Sequence, residues 1–561
     1  LYFGNKSKDF WRSVESDTDS CLNRACPWFK KCFYHRAKHE ANVADVVITN
    51  HSLLFMDVKA ENRLLPAYEH LVIDEAHHFE EVASKHLGLD LRYSSFMNHL
   101  FRLFRDSKMG FLPAMRLRLQ KHEGHESAAE WCKVIDQVYP KLIAVREEWD
   151  RLTEQLYAML TDRQDNTQNE TNQYVLRLKR DLLPAQWETL QVVEDNIYVE
   201  LTGILKKLDK LILDIKEDSE EFNVQSVITD LSGAVKDVYR ARDDLRYFMK
   251  MSDEQVVYWL EANSNYKNKS LQLMCVPLDV SPMLQHHFFD VKESVVMTSA
   301  TLSVDQSFQY TCDQLGLEPS QQLGKLKTVK LPPAFNYRKQ ALVCIPRDFP
   351  TVKGNGDTFF IEKLIESLRD VAIQTKGNML VLFTSYRMLK LTHEGLAAQL
   401  SSQGIQVLGQ GIDSNNRSKL TRMFKEGKGT VLLGTSSFWE GIDIPGEALS
   451  CLAIVRLPFH PPTHPLIEAK CEMITKQKKN PFMSLSLPQA VIRFKQGFGR
   501  LVRTASDKGI VIIYDTRVID TRYGKFFIYS LPGPKIEHMA TEQMVPRIRD
   551  WMDNVEGVET G

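Results

Sequence analysis

The chain has 561 residues, 43% hydrophobic and 25% charged, an ordinary globular composition with length for about three or four domains. Its 71 basic residues balance 72 acidic ones, which excludes a polycation, so any nucleic-acid contact must come from local patches and not from the net field. No run of about 18 apolar residues is present, and the N-terminal LYFGNKSKDF lacks the apolar core and cleavage pattern of a signal peptide; a cytoplasmic protein without membrane contact is expected.

Residues 1–40 are rich in Cys, Lys, Arg and aromatics, and CLNRACPWFKKC places Cys21, Cys26 and Cys32 at C-x4-C-x5-C. That cluster suits an iron–sulfur centre and a zinc site about equally, with a disulfide remnant as a further alternative. The other six cysteines are scattered singly, most in apolar surroundings where a thiol packs as a small hydrophobe. ADVVITNHSLLF, at 44–55, is a β-branched run ending in polar residues and reads as a core strand with a functional rim. HLVIDEAHHFEEV, at 70–82, runs apolar through Leu71, Val72 and Ile73, then breaks into Asp74 and Glu75 before a helix opens. Two such runs predict a parallel sheet with ligands at its carboxyl edge.

From 84 to 265 the texture turns to long Leu, Lys, Glu and Arg periodic segments such as QVVEDNIYVELTGILKKLDKLILDIKEDSEEF, which predict about five or six helices. The polar TDRQDNTQNETNQ at 161–173 reads as the most mobile loop of that block. Strand signals return at SLQLMCVPLDV (270–280) and ESVVMTSATLS (293–303), so the helical block is expected to interrupt one α/β domain. A second α/β unit starts near 335, with strands at ALVCIP, NMLVLFTSY, IQVLGQ, TVLLGTSSFWEGID, LSCLAIVRLPF and GIVIIYD, several of them separated by helical stretches such as FFIEKLIESLRDVAIQ. This alternation predicts a doubly wound parallel sheet.

A strand ending in Asp-Glu suits magnesium-nucleotide chemistry: Asp74 can hold a hydrated metal, and Glu75 can orient and deprotonate an attacking water. An acidic helix cap is the bland alternative. QGFGRLVR, at 496–503, sets Gln496, Gly499, Arg500 and Arg503 so that two guanidiniums lie three apart, on one face if helical. Arginines so placed can meet charge that develops on a phosphate. GTSSFWEGIDIPG (434–446) joins a strand to Trp439, Glu440, Gly441 and Asp443, where glycine allows close ligand approach. Thr298, Ser299 and Thr301 end one strand and Thr384 another, followed by Tyr386, which is available for stacking on a base. Each of these is also compatible with an ordinary capping turn.

Together and in this order, DEAH, TSAT, WEGID and QxxGRxxR closely resemble the motifs of superfamily 2 helicases, in the DinG and XPD iron–sulfur branch. TNHSLL after VVI, DEAHH and RLPF look like the bacterial DinG type. The resemblance covers essentially the whole chain. It implies two RecA-like parallel-sheet domains, the first interrupted by a helical Arch-like insertion. The expected divisions are a partial iron–sulfur segment at 1–40, the C-terminal part of helicase domain 1 at 41–83 and 266–334, the insertion at 84–265, and helicase domain 2 at 335–561. It implies Glu75, Arg500 and Arg503 as catalytic residues, Asp74, His77, Asp443 and Gln496 around ATP and Mg2+, and Thr298, Thr384, Tyr386 and Trp439 on DNA. Cys21, Cys26 and Cys32 become three of the four thiolates of a 4Fe–4S cluster, whose first ligand lies upstream in the family. The implied function is that of a monomeric ATP-dependent DNA helicase that translocates 5′ to 3′ on single-stranded DNA and unwinds forked or R-loop duplexes in repair or replication.

The pattern fails at one place. No GxxxxGK followed by Ser or Thr is present to cradle the β- and γ-phosphates. LGKLKT (323–328) and KGNGDT (353–358) lack the spacing and follow the DEAH strand. In the family that loop precedes the cysteines, so the chain is expected to lack its natural N-terminal part and not to hydrolyse ATP alone. Two alternatives stand beside the helicase: the DNA-binding platform of a nuclease-fused DinG-type protein, and a redox-responsive DNA-binding module.

Overall fold

The computed structural model describes residues 21, 23–122, 125–162, 173–217, 222–351, 357–427, 429–439, 448–504 and 507–553. The chain divides into two compact units, residues 1–68 with 81–279, and residues 69–80 with 280–561. No described helix is long and apolar enough to cross a membrane.

The first strand in the chain, β1 (His70–Ile73), belongs to the second unit. The first unit is built on the long helices Glu126–Asp162, Trp187–Glu217 and Gln225–Lys250. In Trp187–Glu217 the buried residues Leu190, Val193, Ile197, Leu201, Ile204, Leu208, Leu211 and Ile215 recur every three or four positions, so one stripe faces the core and the lysines face water, while Glu194 is buried in an ion pair with Arg246. Trp149 is fully buried there, stacked on Phe96 with ring centroids 4.2 Å apart. The helical texture of the sequence is therefore real, but it is not the whole unit. β2 (Leu89–Arg92), β3 (Gln173–Leu178), β4 (Val256–Asn263) and β5 (Gln272–Pro277) form an antiparallel sheet in the order β2-β5-β4-β3. The run at 270–280, expected to rejoin a parallel sheet, becomes β5 instead, because VVYWLEAN in β4 offers it a β-branched and aromatic partner.

The strand expected in ADVVITN is also absent. Residues 44–50 are irregular, with Val46 77% and Ile48 94% exposed. A β run needs a neighbour to complete its ladder, and none of the described strands pairs with this one. Its polar end acts locally: the Asn50 side chain accepts from the Leu53 amide at 2.8 Å and caps the helix His51–Lys59. The predicted mobile loop at 161–173 lies almost wholly outside the described residues.

In the second unit β1 pairs in parallel with β6 (Ser294–Met297), with His70 opposite Ser294 and Ile73 opposite Met297. The main sheet comprises β7 (Ala341–Pro346), β8 (Met379–Leu382), β9 (Gln406–Gly409), β10 (Thr430–Gly434), β11 (Cys451–Ile454), β12 (Gly509–Ile513) and β13 (Lys535–Met539), all parallel, in the order β13-β7-β12-β11-β8-β10-β9. Alternate residues enter two separate cores. Val343, Leu380, Leu432, Leu452 and Val511 pack on one face, and Leu342, Val381, Val431, Ala453 and Ile512 on the other. Burial on both faces is why these strands read as continuous apolar runs. Six of the seven were anticipated. The seventh, KIEHM of β13, is a charged edge strand with no such signature.

Candidate active site

The parallel pairing of β1 with β6 brings two loops together at the carboxyl ends of both strands. The Thr298 amide donates to the Ile73 carbonyl at 2.9 Å, and the Ala76 amide donates to the Thr298 carbonyl at 3.1 Å, so the two strand ends are stitched by backbone. Asp74 and Glu75 stand exposed on this edge. Glu75 has φ +46, a left-handed conformation uncommon for a side chain with a Cβ, and its amide donates to Asp74 Oδ1 at 2.9 Å.

The Glu75 carboxylate is not loose. Ser299 Oγ donates to Glu75 Oε2 at 3.1 Å, and His77 Nδ1 lies 2.7 Å from the same hydroxyl and 3.3 Å from Glu75 Oε2. Since the carboxylate only accepts, a Ser299 hydroxyl that donates to Glu75 receives its own hydrogen bond from His77 in the Nδ1–H tautomer. The Thr301 amide donates to Ser299 Oγ at 3.1 Å and completes the cage. The hydroxyl loop and the acidic strand end are thus one structure. The sequence offered Ser299 as a generic polar rim residue; its partner in Glu75 becomes visible only through the strand register.

The arginine segment is organised differently from the expectation. The helix Leu487–Phe498 ends at Gly499, so Arg500 and Arg503 lie in the turn beyond it and not on a helical face. Arg500 is buried, and its Nε and Nη2 donate to the Trp439 carbonyl at 3.0 and 2.6 Å. Arg503 is half-buried, burial lowers its guanidinium pKa, and its amide donates to Asp507 Oδ2 at 2.8 Å. Gln496 Oε1 is buried with no hydrogen-bond partner among the described residues.

Of the residues expected to touch DNA, Trp439 must be corrected. It is 2% exposed, sits in the core of the main sheet and donates its indole N–H to the Phe383 carbonyl at 3.3 Å, so its ring is not offered to a base. Tyr386 is half-buried over Gly411, while Thr298 and Thr384 are exposed at strand ends. Asp443, with Glu440 and Gly441, lies outside the described residues. The lysines at 30–31 and 476–479 are exposed. Cys21 is exposed and Cys26 and Cys32 half-buried; Cys21 Sγ lies 3.7 Å from His35 Nε2. Among the described residues no three side chains of this segment converge on a single-ion position, so it presents no preformed zinc site.

The family described as a helicase C-terminal domain matches residues 368–533. The 3′–5′ exonuclease DinG of Bacillus subtilis is 33% identical over 543 residues, 96% of this chain and 56% of that protein. The ATP-dependent DNA helicase YoaA of Haemophilus influenzae is 30% identical over 529 residues, 93% of this chain and 71% of that protein. An XPD helicase structure superposes with a TM-score of 0.50 at 15% identity, covering 90% of this chain and 75% of that one, a likeness of fold. The sequence likeness, carried across most of both chains, is of a closer kind: this chain belongs to the DinG/YoaA family of ATP-dependent helicases.

Proposed function

We propose that the chain is the motor body of an ATP-dependent DNA helicase that moves 5′ to 3′ on single-stranded DNA and opens duplexes, with forks and R-loops as substrates and repair or replication in the cytosol as its setting. The observation that carries the reading is the Glu75 carboxylate, presented at a strand end by the Ser299 hydroxyl at 3.1 Å. A carboxylate so oriented can accept the proton of a water attacking the γ-phosphate. His77 keeps the Ser299 proton directed at it. Asp74, exposed next to it, has the hard oxygen ligands that suit Mg2+; Mg2+ there would neutralise phosphate charge. Arg500 and Arg503 are the cationic groups for the transferring phosphate, and Gln496, with its unpartnered carbonyl oxygen, for the nucleotide.

Cys21, Cys26 and Cys32 supply soft thiolates of the kind a 4Fe–4S cluster takes, and would be three of its ligands. The cluster would be structural, ordering a segment whose Trp28 and Phe33 are exposed.

A second reading has a specific support: the Bacillus subtilis relative is named an exonuclease. On that reading the chain is the DNA-binding platform of a nuclease. The test is ATP hydrolysis by the full-length polypeptide with and without single-stranded DNA, beside Glu75→Gln. DNA-stimulated turnover lost in the variant supports the motor; DNA degradation with no ATP turnover supports the platform.

A further inference from the structure

Glu80 lies five residues beyond Glu75, in the first turn of the helix Phe79–Leu87. Its Oε1 accepts from Lys470 Nζ at 2.6 Å, across 390 residues of sequence. Lys470 sits on the helix Pro465–Lys476, and the two side chains are only 8% and 19% exposed. Beside them Tyr310 has Glu80 and Gln489 as polar neighbours, and burial raises its hydroxyl pKa. Gln489 belongs to the helix Leu487–Phe498 that carries Gln496 and leads to Arg500. From the same helix Lys495 Nζ donates to the Ser303 carbonyl at 3.0 Å, at the far end of the loop that begins with Ser299. The acidic strand end is therefore tied to the helical layer of the main sheet at two points. Neither tie uses a group that the proposed chemistry needs.

A buried lysine paired with a partly buried glutamate is a poor source of stability, because desolvation offsets most of their attraction, but the contact fixes geometry. We infer that Glu80 and Lys470 are a positioning pair: their contact holds the Asp74–Glu75 turn in register with the helix leading to Arg500, so that DNA bound elsewhere on the motor accelerates hydrolysis only while the pair is made. This rests on the ATPase reading above. Neither residue touches nucleotide in this role; both act through the groups they place.

The test uses the full-length polypeptide and reads basal ATP turnover, DNA-stimulated turnover, KM for ATP and melting temperature. Glu80→Gln and Lys470→Met should each cut DNA-stimulated kcat on the order of 10-fold or more, the scale expected when catalytic groups are misplaced from a distance, and should lower the ratio of DNA-stimulated to basal kcat, with KM for ATP little changed. The exchange Glu80→Lys with Lys470→Glu should restore most of the ratio. The double neutral variant Glu80→Gln with Lys470→Met leaves no lone buried charge, so it should melt normally and still be uncoupled. The inference is overturned if the single variants only lower the melting temperature, or if the double neutral variant recovers full stimulation. If the wild-type polypeptide shows no ATP turnover, the ATPase reading falls and this inference with it.

Discussion

Two glycines two residues apart at the end of the arginine helix should respond to alanine with opposite signs. A Cβ built on Gly497 falls 3.1 and 3.2 Å from Trp439 Cε3 and Cζ3 and 3.4 Å from Leu382 Cδ1. Trp439 cannot retreat cheaply: it is in the core, its indole N–H is bonded to Phe383, and its carbonyl holds Arg500. Overpacking of this kind costs about 1–3 kcal/mol, of which the better helix propensity of alanine returns up to about 1 kcal/mol. Gly497→Ala should therefore destabilise the second unit by about 1–2 kcal/mol. A Cβ on Gly499 meets nothing closer than the Lys495 carbonyl oxygen at 3.4 Å, and the residue has φ −62. Gly499→Ala should be neutral or stabilising by up to about 1 kcal/mol. Denaturant midpoints of both variants, at unchanged slope, give the signs. Equal stability of Gly497→Ala and wild type would refute the packing reasoning. Loss of ATP turnover in a fully stable Gly499→Ala would mean that Gly499 leaves room for a ligand and not for a neighbour.

Ser299→Ala should lower ATP turnover of the full-length polypeptide on the order of 10-fold or more, as loss of one orienting hydrogen bond does, with KM for ATP nearly constant; an unchanged kcat would remove Ser299 from the site. Lys495 has its pKa lowered to about 8, by burial first and by Lys330 second. The folded state therefore sheds this proton before the unfolded state does, so stability should rise between pH 8 and pH 10.5, by at most about 3 kcal/mol. Lys495→Met should flatten that rise in denaturation midpoints taken across the range. Glu537 is held at about 2 by hydrogen bonds from Arg547 and then Lys535. Its contribution is present above pH 4.5 and lost as pH falls toward 2, so Glu537→Gln should cost about 1–2 kcal/mol at pH 7 and almost nothing near pH 2, measured by the same midpoints.

What the sequence revealed follows from how each element meets its surroundings. The strands of the main sheet were legible because burial on both faces leaves an unbroken apolar run, as in Leu342, Val343 and Cys344 of β7. β13 was not, since an edge strand can carry Lys535, Glu537 and His538 outward. β2, β3 and β4 were hidden inside a helical block because short strands scattered among long amphipathic helices do not change the local texture. Residues 44–50 show the converse error: β propensity without a partner strand gives no strand. At the site, Glu75 could be found from the strand end alone, but its tether to Ser299 spans 224 residues and is set by register. Trp439 was misread because a motif tells which residue is present and not which way its ring points.

The same distinction sorts the polar rim of the sheets. Ser385 ends β8 in a hydroxyl, but that hydroxyl accepts from the Met388 amide at 3.1 Å and caps a helix. Thr435 follows β10 and donates from its amide and hydroxyl to Gln410 Oε1 at 2.9 and 3.0 Å. Asp515 follows β12, buried, and accepts from the Leu457 amide at 2.8 Å and from Nε and Nη2 of Arg517 at 2.8 and 2.6 Å. In each case the rim residue satisfies protein and is accounted for by folding. Glu75 differs on both counts: it is exposed, and it is held at φ +46, a conformation that costs on the order of 1 kcal/mol for a residue with a Cβ. Ser299 and His77 then hold its carboxylate in place. Exposed acids at positive φ also occur at Glu61 and Asp305, so it is the cross-strand tether from Ser299 and His77, and not the strained turn by itself, that sets Glu75 apart.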